Sequence, residues 1–193
     1  MAGRDPDEKR RRLIEAGFAE FAAYGIAGAR IDRIAKAADC SAGLVYTNFG
    51  SKDELFTAVV GWIIERTIEE APITPDDLPG YAGRLFDAYE AHPEVARFLA
   101  WQRLEGGPVP KSAAAEASTA RKIELIADAQ RRGTVPDRFS PVELLGMVIQ
   151  LAAVWNAATP QFTGKLGKFS RAQRRQLVTE SVAALLESGP SPT

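Results

Sequence analysis

The stretch SAGLVYTNFGSKDEL, Ser41 to Leu55, decides how this chain is read. Its first half predicts a short helix that ends at Gly50, after which Ser51 opens another. At about 100° per residue, Val45 and Phe49 fall together with Ala42 near them. Leu44, Thr47 and Asn48 fall on the opposite side, with Gly43 at their edge. The first set can pack on a core. The second set is mostly small and hydrogen-bonding, and it needs something else to face. Just upstream, Ile31, Ile34, Ala35 and Ala38 line one side of a further short helix, and DCSAG (Asp39 to Gly43) turns the chain between the two. Two short helices joined by a tight turn, the second with its polar face outward, describe a helix-turn-helix. Such a second helix fits the major groove of DNA, about 12 Å wide.

Working outward from there, helical spacing recurs nearly everywhere and no alternating strand emerges. Leu13, Ile14, Phe18 and Phe21 mark a first helix over Asp7 to Tyr24 that closes at Gly25. Ser51 followed by Glu54 is a capping-box pattern, so a long helix starts there and runs to about Glu70, where three prolines in APITPDDLPG stop it. Further helices are predicted near Tyr81 to Ala91, Glu94 to Glu105 and Ser112 to Arg132. Ser140 and Glu143 form another capping box ahead of a helix to about Ala157, and Ser170 with Gln173 repeats the logic before the last one. The fold class expected is all-α, with about nine helices.

Bulk composition narrows the function. The 193 residues are 46% hydrophobic and 25% charged, enough for one or two domains with an apolar core. The formal net charge is −1, so a basic surface for a nucleic acid must be local. A single cysteine, Cys40, excludes an internal disulfide framework and fits a reducing compartment; it reads as a small core residue. The start, MAGRDPDEKRRR, lacks the apolar run of a signal peptide, and no segment has transmembrane length. A cytoplasmic location is expected, with no metal site and no cofactor.

IDRIAKAADCSAGLVYTNFGSKDELF resembles the DNA-binding segment of the TetR family of bacterial transcriptional regulators. The resemblance runs from Arg11 to Val60, and its marks are Ile34-Ala35, Ala38, Ser41, Gly43, Tyr46, Phe49 and Lys52-Asp53-Glu54-Leu55. It implies an N-terminal helix-turn-helix domain, residues 1–52, and a C-terminal ligand-binding and dimerisation domain, residues 53–193. It also implies a ligand-responsive regulator, most simply a repressor released from DNA by an inducer.

Residue chemistry assigns the DNA contacts within that frame. Asn48 can pair with an adenine edge, Thr47 can donate or accept, and Leu44 can press on a thymine methyl. Gly43 allows close backbone approach, with Ser41 and Ala42 beside it at the helix start. Tyr46 and Lys52 are placed for phosphate, and Arg30 and Arg33 for clamping the DNA backbone, with Lys9 to Arg12 as a basic arm. Four positions depart from the family pattern: Ala29 and Arg30 replace hydroxyl residues, Asp39 replaces a glycine in the turn, and Asn48 stands where His or Tyr is common.

The C-terminal helices suggest the remaining roles. In the helix from Pro141, Leu145, Val148, Ala152 and Trp155 make one stripe, and Leu144, Met147, Leu151 and Val154 make another. One stripe can cover the chain's own core while the other wants a second surface. With Leu177, Val178, Val182, Leu185 and Leu186 of the last helix, this predicts a four-helix interface between two copies, with Leu144, Met147, Leu151, Val154, Trp155, Val178, Val182 and Leu185 as candidates. A two-fold dimer separates the recognition helices by about 34–36 Å, or a multiple, and predicts a near-palindromic operator. The family resemblance implies an inducer pocket among the middle helices; its candidates are Trp62, Phe86, Tyr89, Phe98, Trp101 and Leu104, suited to a small, largely apolar molecule. His92, before Pro93, reads as structural or solvent-facing.

Two other classes stay open at this point. An enzyme has little to work with: one His, one Cys, no phosphate loop and no nucleophile elbow, which leaves only carboxylate chemistry. A helical interaction protein with weakened DNA binding is the other alternative, prompted by Asp39 and Ala29 and opposed by the intact Gly43 to Tyr46 run.

Overall fold

The computed structural model describes residues 6–105, 113–156, 164 and 169–187. Nine α-helices and a 3-10 turn lie among the described residues, with no strand: α1 (Pro6–Gly28), α2 (Ile31–Ala37), α3 (Ala42–Phe49), α4 (Lys52–Glu70), the turn Pro75–Asp77, α5 (Leu78–Ala91), α6 (Pro93–Leu104), α7 (Ala113–Arg131), α8 (Pro141–Ala152) and α9 (Arg171–Leu186). None of these helices is long and apolar enough to cross a membrane.

Local chemistry accounts for most boundaries. The Ser41 hydroxyl accepts from Leu44 N, and the Ser51 hydroxyl accepts from Glu54 N, each starting a helix with a satisfied amide. Both Ser140–Glu143 and Ser170–Gln173 form full capping boxes, with side chain and backbone bonded in both directions. Three edges differ from the expected ones. Asp77 accepts from Gly80 N and starts α5 at Leu78, ahead of Tyr81. The α8 helix ends at Ala152, followed by a turn through Asn156. The start expected for α7 at Ser112 lies outside the described residues. Lastly, α1 passes through Gly25 and runs on to Gly28, kinked where Gly25 takes φ 72°. Glycine adopts that left-handed conformation without a Cβ penalty.

The chain forms two compact units. The first comprises Met1–Arg66 with Glu94–Glu116, and the second comprises Thr67–Pro93 with Ala117–Thr193. The first unit thus takes in most of α4 and nearly all of α6. Aromatic packing is the reason: Phe56 of α4 stacks on Phe98 of α6 at 4.9 Å and meets Phe21 of α1 edge-on at 5.2 Å. Phe18 closes the group against Phe98 and Trp62. Burying these rings binds α6 and most of α4 into the N-terminal core. Gly17 lets Leu55 lie directly on α1.

In the second unit, Leu78, Tyr81, Leu85 and Phe86 of α5 pack with Ile126, Leu144, Val148, Val178 and Val182. Gly83 makes room for Arg175 and Thr179 of α9. Carboxylates of α5 hold the same helix: Glu90 pairs in fork geometry with Arg174 at 2.9 and 2.7 Å, and Asp87 takes Arg171 and Arg175.

Candidate nucleic-acid interface

The short helix α3 is amphipathic as its sequence requires. Val45 and Phe49 are buried against α1 and α2 in the first unit's core. Ala42, Gly43, Tyr46 and Thr47 are exposed, Tyr46 by 54%. Leu44 and Asn48 are half-buried, with Leu44 leaning on the core, so the outward face is a little narrower than the helical wheel predicts. Ala42, placed near the inward set by its angle, is exposed at the first position of the helix.

Two polar side chains of that face are bonded to their own helix. The Thr47 hydroxyl donates to Gly43 O at 3.0 Å, and the Asn48 amide donates to Leu44 O at 2.8 Å. Such back-bonding fixes their rotamers and leaves the Asn48 carbonyl oxygen and second amide proton available. Gly50, with φ 75°, ends the helix, and Ser51 immediately restarts the chain. That turn separates α3 from α4 within two residues.

Charges near this face are more tightly committed than the sequence suggests. Arg30 donates through Nε and Nη2 to both oxygens of Asp32, at 3.0 and 2.9 Å. That hydrogen bond holds the Asp32 carboxyl below its ordinary value of 3.8. Arg33, expected to clamp the DNA backbone, has partners within its own unit. Its Nε donates to Glu20 Oε1 at 2.6 Å, its Nη2 donates to Gly28 O, and its guanidinium lies over the Tyr24 ring at 4.3 Å. The Glu20 hydrogen bond holds its pKa above the ordinary arginine value. The cause is Glu20, a carboxylate buried within the unit that needs a cation.

Lys52 reaches back to the turn before α2, where its Nζ donates to Ala29 O at 3.4 Å and to Ala27 O at 3.5 Å. With Ala29, Arg30, Ile31, Asp32, Ala42 and Tyr46 it lines an open depression at the start of α2. A second depression at the α2–α3 turn is lined by Asp32, Ala35, Lys36, Asp39, Cys40, Ser41 and Ala42. Lys36 was not singled out by sequence. Its signal was its position in the last turn of α2, immediately before the turn into α3. Asp39 adopts φ 53° and pairs with Arg12 at 3.6 Å, and Arg10 lies over Phe49, so part of the basic arm is folded against the helix-turn-helix.

The other sequence candidates divide between the units. Phe98 and Trp62 are absorbed into the first unit's aromatic cluster, whereas Phe86 is core of the second. Tyr89 is half-buried in the second unit, Trp101 half-buried in the first, and Leu104 is 76% exposed. Among the dimer candidates, Leu144, Val178 and Val182 are already buried in the second unit, because α8 and α9 pack on α5 within one chain. Met147, Leu151, Trp155 and Leu185 remain half-exposed, and Val154 is exposed. Cys40 is half-buried and donates to Ala38 O. His92 lies 3.6 Å from Glu70.

Comparison with known proteins agrees with this architecture. Residues 13–59 match the model of the bacterial regulatory proteins of the tetR family, and residues 77–183 match that of the tetracyclin repressor-like C-terminal domain. The chain is 40% identical over 163 residues to the HTH-type transcriptional repressor SCO4008 of Streptomyces coelicolor, covering 83% of this chain and 84% of that one. It is 31% identical over 108 residues to the HTH-type transcriptional repressor NicS of Pseudomonas putida, 52% of this chain and 51% of that one. Among solved structures, the transcriptional regulator SCO4942 of Streptomyces coelicolor superposes with a TM-score of 0.80 at 36% identity, covering 95% of this chain and 99% of that one. A regulator from Rhodococcus sp. shares the fold at a TM-score of 0.69 and 20% identity, over 92% and 96% of the two chains. The exposed face of α3, the packing behind it and these matches lead to one conclusion: the chain belongs to the TetR family of DNA-binding transcriptional regulators, which are not enzymes.

Proposed function

We propose that the protein is a ligand-responsive repressor that binds a near-palindromic operator as a homodimer and is released by a small, largely apolar inducer. The observation that carries the reading is the split of α3, with Val45 and Phe49 buried and Gly43, Tyr46 and Thr47 presented outward beside Lys52. In this reading Asn48 and Thr47 contact base edges, aided by Leu44, while Ser41, Ala42 and Gly43 allow close approach. Tyr46, Lys52 and Arg30 face phosphates, and Arg30 exchanges Asp32 for the DNA. Arg33 supports the domain from behind. The accessible rows of α8 and α9, Met147, Leu151, Val154 and Leu185, form the contact between copies, and the C-terminal region takes up the inducer.

A direct test is fluorescence anisotropy against duplexes from the DNA flanking its own gene. Binding should weaken steeply with salt and be lost on combining Thr47→Ala, Asn48→Ala and Lys52→Ala. Introducing Leu151→Glu with Val154→Glu should convert a dimer into a monomer by light scattering and abolish operator binding along with it. Retained affinity in the triple variant would refute the assignment of α3. The internal pairing of Arg30 and Arg33 favours a second reading, a helical interaction protein with weakened DNA binding; it would be supported if no duplex competed better than random DNA.

A further inference from the structure

The turn that joins α1 to α2 is held by a residue far away in sequence. Gly25 breaks α1 with φ 72°, and the next two amides turn to the Glu105 carboxylate. Ile26 N donates to Glu105 Oε2 at 2.8 Å, and Ala27 N donates to both oxygens at 3.2 and 3.4 Å. Glu105 directly follows α6, and Trp101 of the same helix lies against the turn as well. A Cβ at Gly25 would fall 2.9 Å from Trp101 Cε3 and would overlap the Glu105 carboxylate, so the glycine is also what lets the carboxylate in. The rest of the turn is satisfied from within the DNA-reading segment. Lys52 donates to Ala27 O and Ala29 O, Arg33 donates to Gly28 O, and Arg30 N donates to Glu20.

We propose that Glu105 is a positioning residue for DNA recognition: by capping the amides of Ile26 and Ala27 it fixes the start of α2, and through the tight α2–α3 turn the setting of the recognition helix. This rests on the operator-binding reading above. The sign of the effect separates it from simple charge. An anion on a DNA-binding protein opposes attraction to phosphate, so removing it on electrostatic grounds alone tightens binding. A positioning role predicts the reverse for the specific site. Without the carboxylate the part-buried Ile26 amide and the exposed Ala27 amide turn to water or to other acceptors, and the turn loses the one side chain that fixes both in a single geometry.

The test uses the full-length protein and an operator duplex selected by the wild type from a random pool, with a scrambled duplex of equal length as control. Glu105→Ala and Glu105→Asp should weaken operator binding by about tenfold or more, the latter because its shorter side chain cannot span both amides although its charge is kept. Glu105→Gln, neutral but with a carbonyl acceptor at the same reach, should stay within about threefold of wild type. Binding to the scrambled duplex should be unchanged or slightly tighter in Glu105→Ala and Glu105→Gln. Amide exchange at Ile26 and Ala27 should accelerate in the Ala and Asp variants while Val59, in the core, stays protected. Wild-type operator affinity in Glu105→Asp, or tighter operator binding in Glu105→Ala, would overturn the proposal. Should Glu105→Ala fail to fold, the Asp and Gln pair decides it. Failure of the wild type to select any duplex would instead sink the repressor reading, and differs from a discriminating wild type that the Glu105 series leaves unaltered.

Discussion

Arg33 and Glu20 are bound to each other across the joint between α1 and α2, Arg33 Nε standing 2.6 Å from Glu20 Oε1. Glu20 is only 9% exposed and also accepts from Arg30 N, so one carboxylate secures both a backbone amide and a guanidinium. Removing it leaves both donors short of a partner. We expect Glu20→Ala to cost about 1–3 kcal/mol in urea unfolding, while Arg30→Ala, whose partner Asp32 is an exposed neighbour, leaves the midpoint essentially unchanged. Equal effects of the two would mean that Glu20 is as well solvated as Asp32.

Asp39 and Asp32 hold negative charge beside the face proposed to meet DNA, and each occupies an arginine. Asp39 also stands in a left-handed conformation, which costs an ordinary residue about 1–2 kcal/mol and Asp somewhat less. Asp39→Gly should therefore be neutral or stabilising by up to about 0.5 kcal/mol, since the extra freedom of glycine in the unfolded chain offsets part of the relief. It should tighten DNA binding and steepen the salt dependence by up to about one counterion as Arg12 is freed. Asp32→Asn should tighten binding in the same way by freeing Arg30. Anisotropy titrations over a range of salt concentrations check both; weaker binding in either variant would assign that carboxylate a supporting role.

In the second unit the Tyr81 side chain is fully buried, and its hydroxyl has no hydrogen-bond partner among the described residues. Burial pushes the phenol up to about 12 from its ordinary 10.0. The unfolded chain gives up this proton near 10 and the folded chain only near 12, so stability present below pH 10 is lost as pH rises through that window. Tyr81→Phe removes a buried unsatisfied hydroxyl at little cost in shape. It should stabilise the protein by about 1 kcal/mol and flatten the alkaline fall in Tm. A destabilised Phe variant would mean the hydroxyl does have a partner.

On the acid side, the Ser140 hydroxyl and amide hold Glu143 below its ordinary 4.5, and Thr134 with Arg132 hold Asp76 below its ordinary 3.8. Both carboxylates are depressed in the folded state. The stability they provide is complete above those ordinary values and disappears as pH falls through the lower folded ones. Ser140→Ala should lower Tm by a few degrees at neutral pH and by progressively less as pH falls through the lowered folded value of the Glu143 carboxyl. A constant deficit across that range would show that the cap acts through the hydroxyl alone.

Sequence by itself indicated most of the helices and the inward side of α3. The caps at Ser51, Ser140 and Ser170 and the inward setting of Val45 and Phe49 follow from patterns within about four residues, which periodicity and capping chemistry describe. Partners were a different matter. That Arg33 serves Glu20, that Arg171, Arg174 and Arg175 bind α5, that Leu144 and Val178 face their own core, and that Phe98 closes the N-terminal cluster were decided only by packing. A charge or an apolar stripe records what a surface needs. Which distant element meets that need depends on how helices many residues apart come to lie against one another, and no local pattern carries that information.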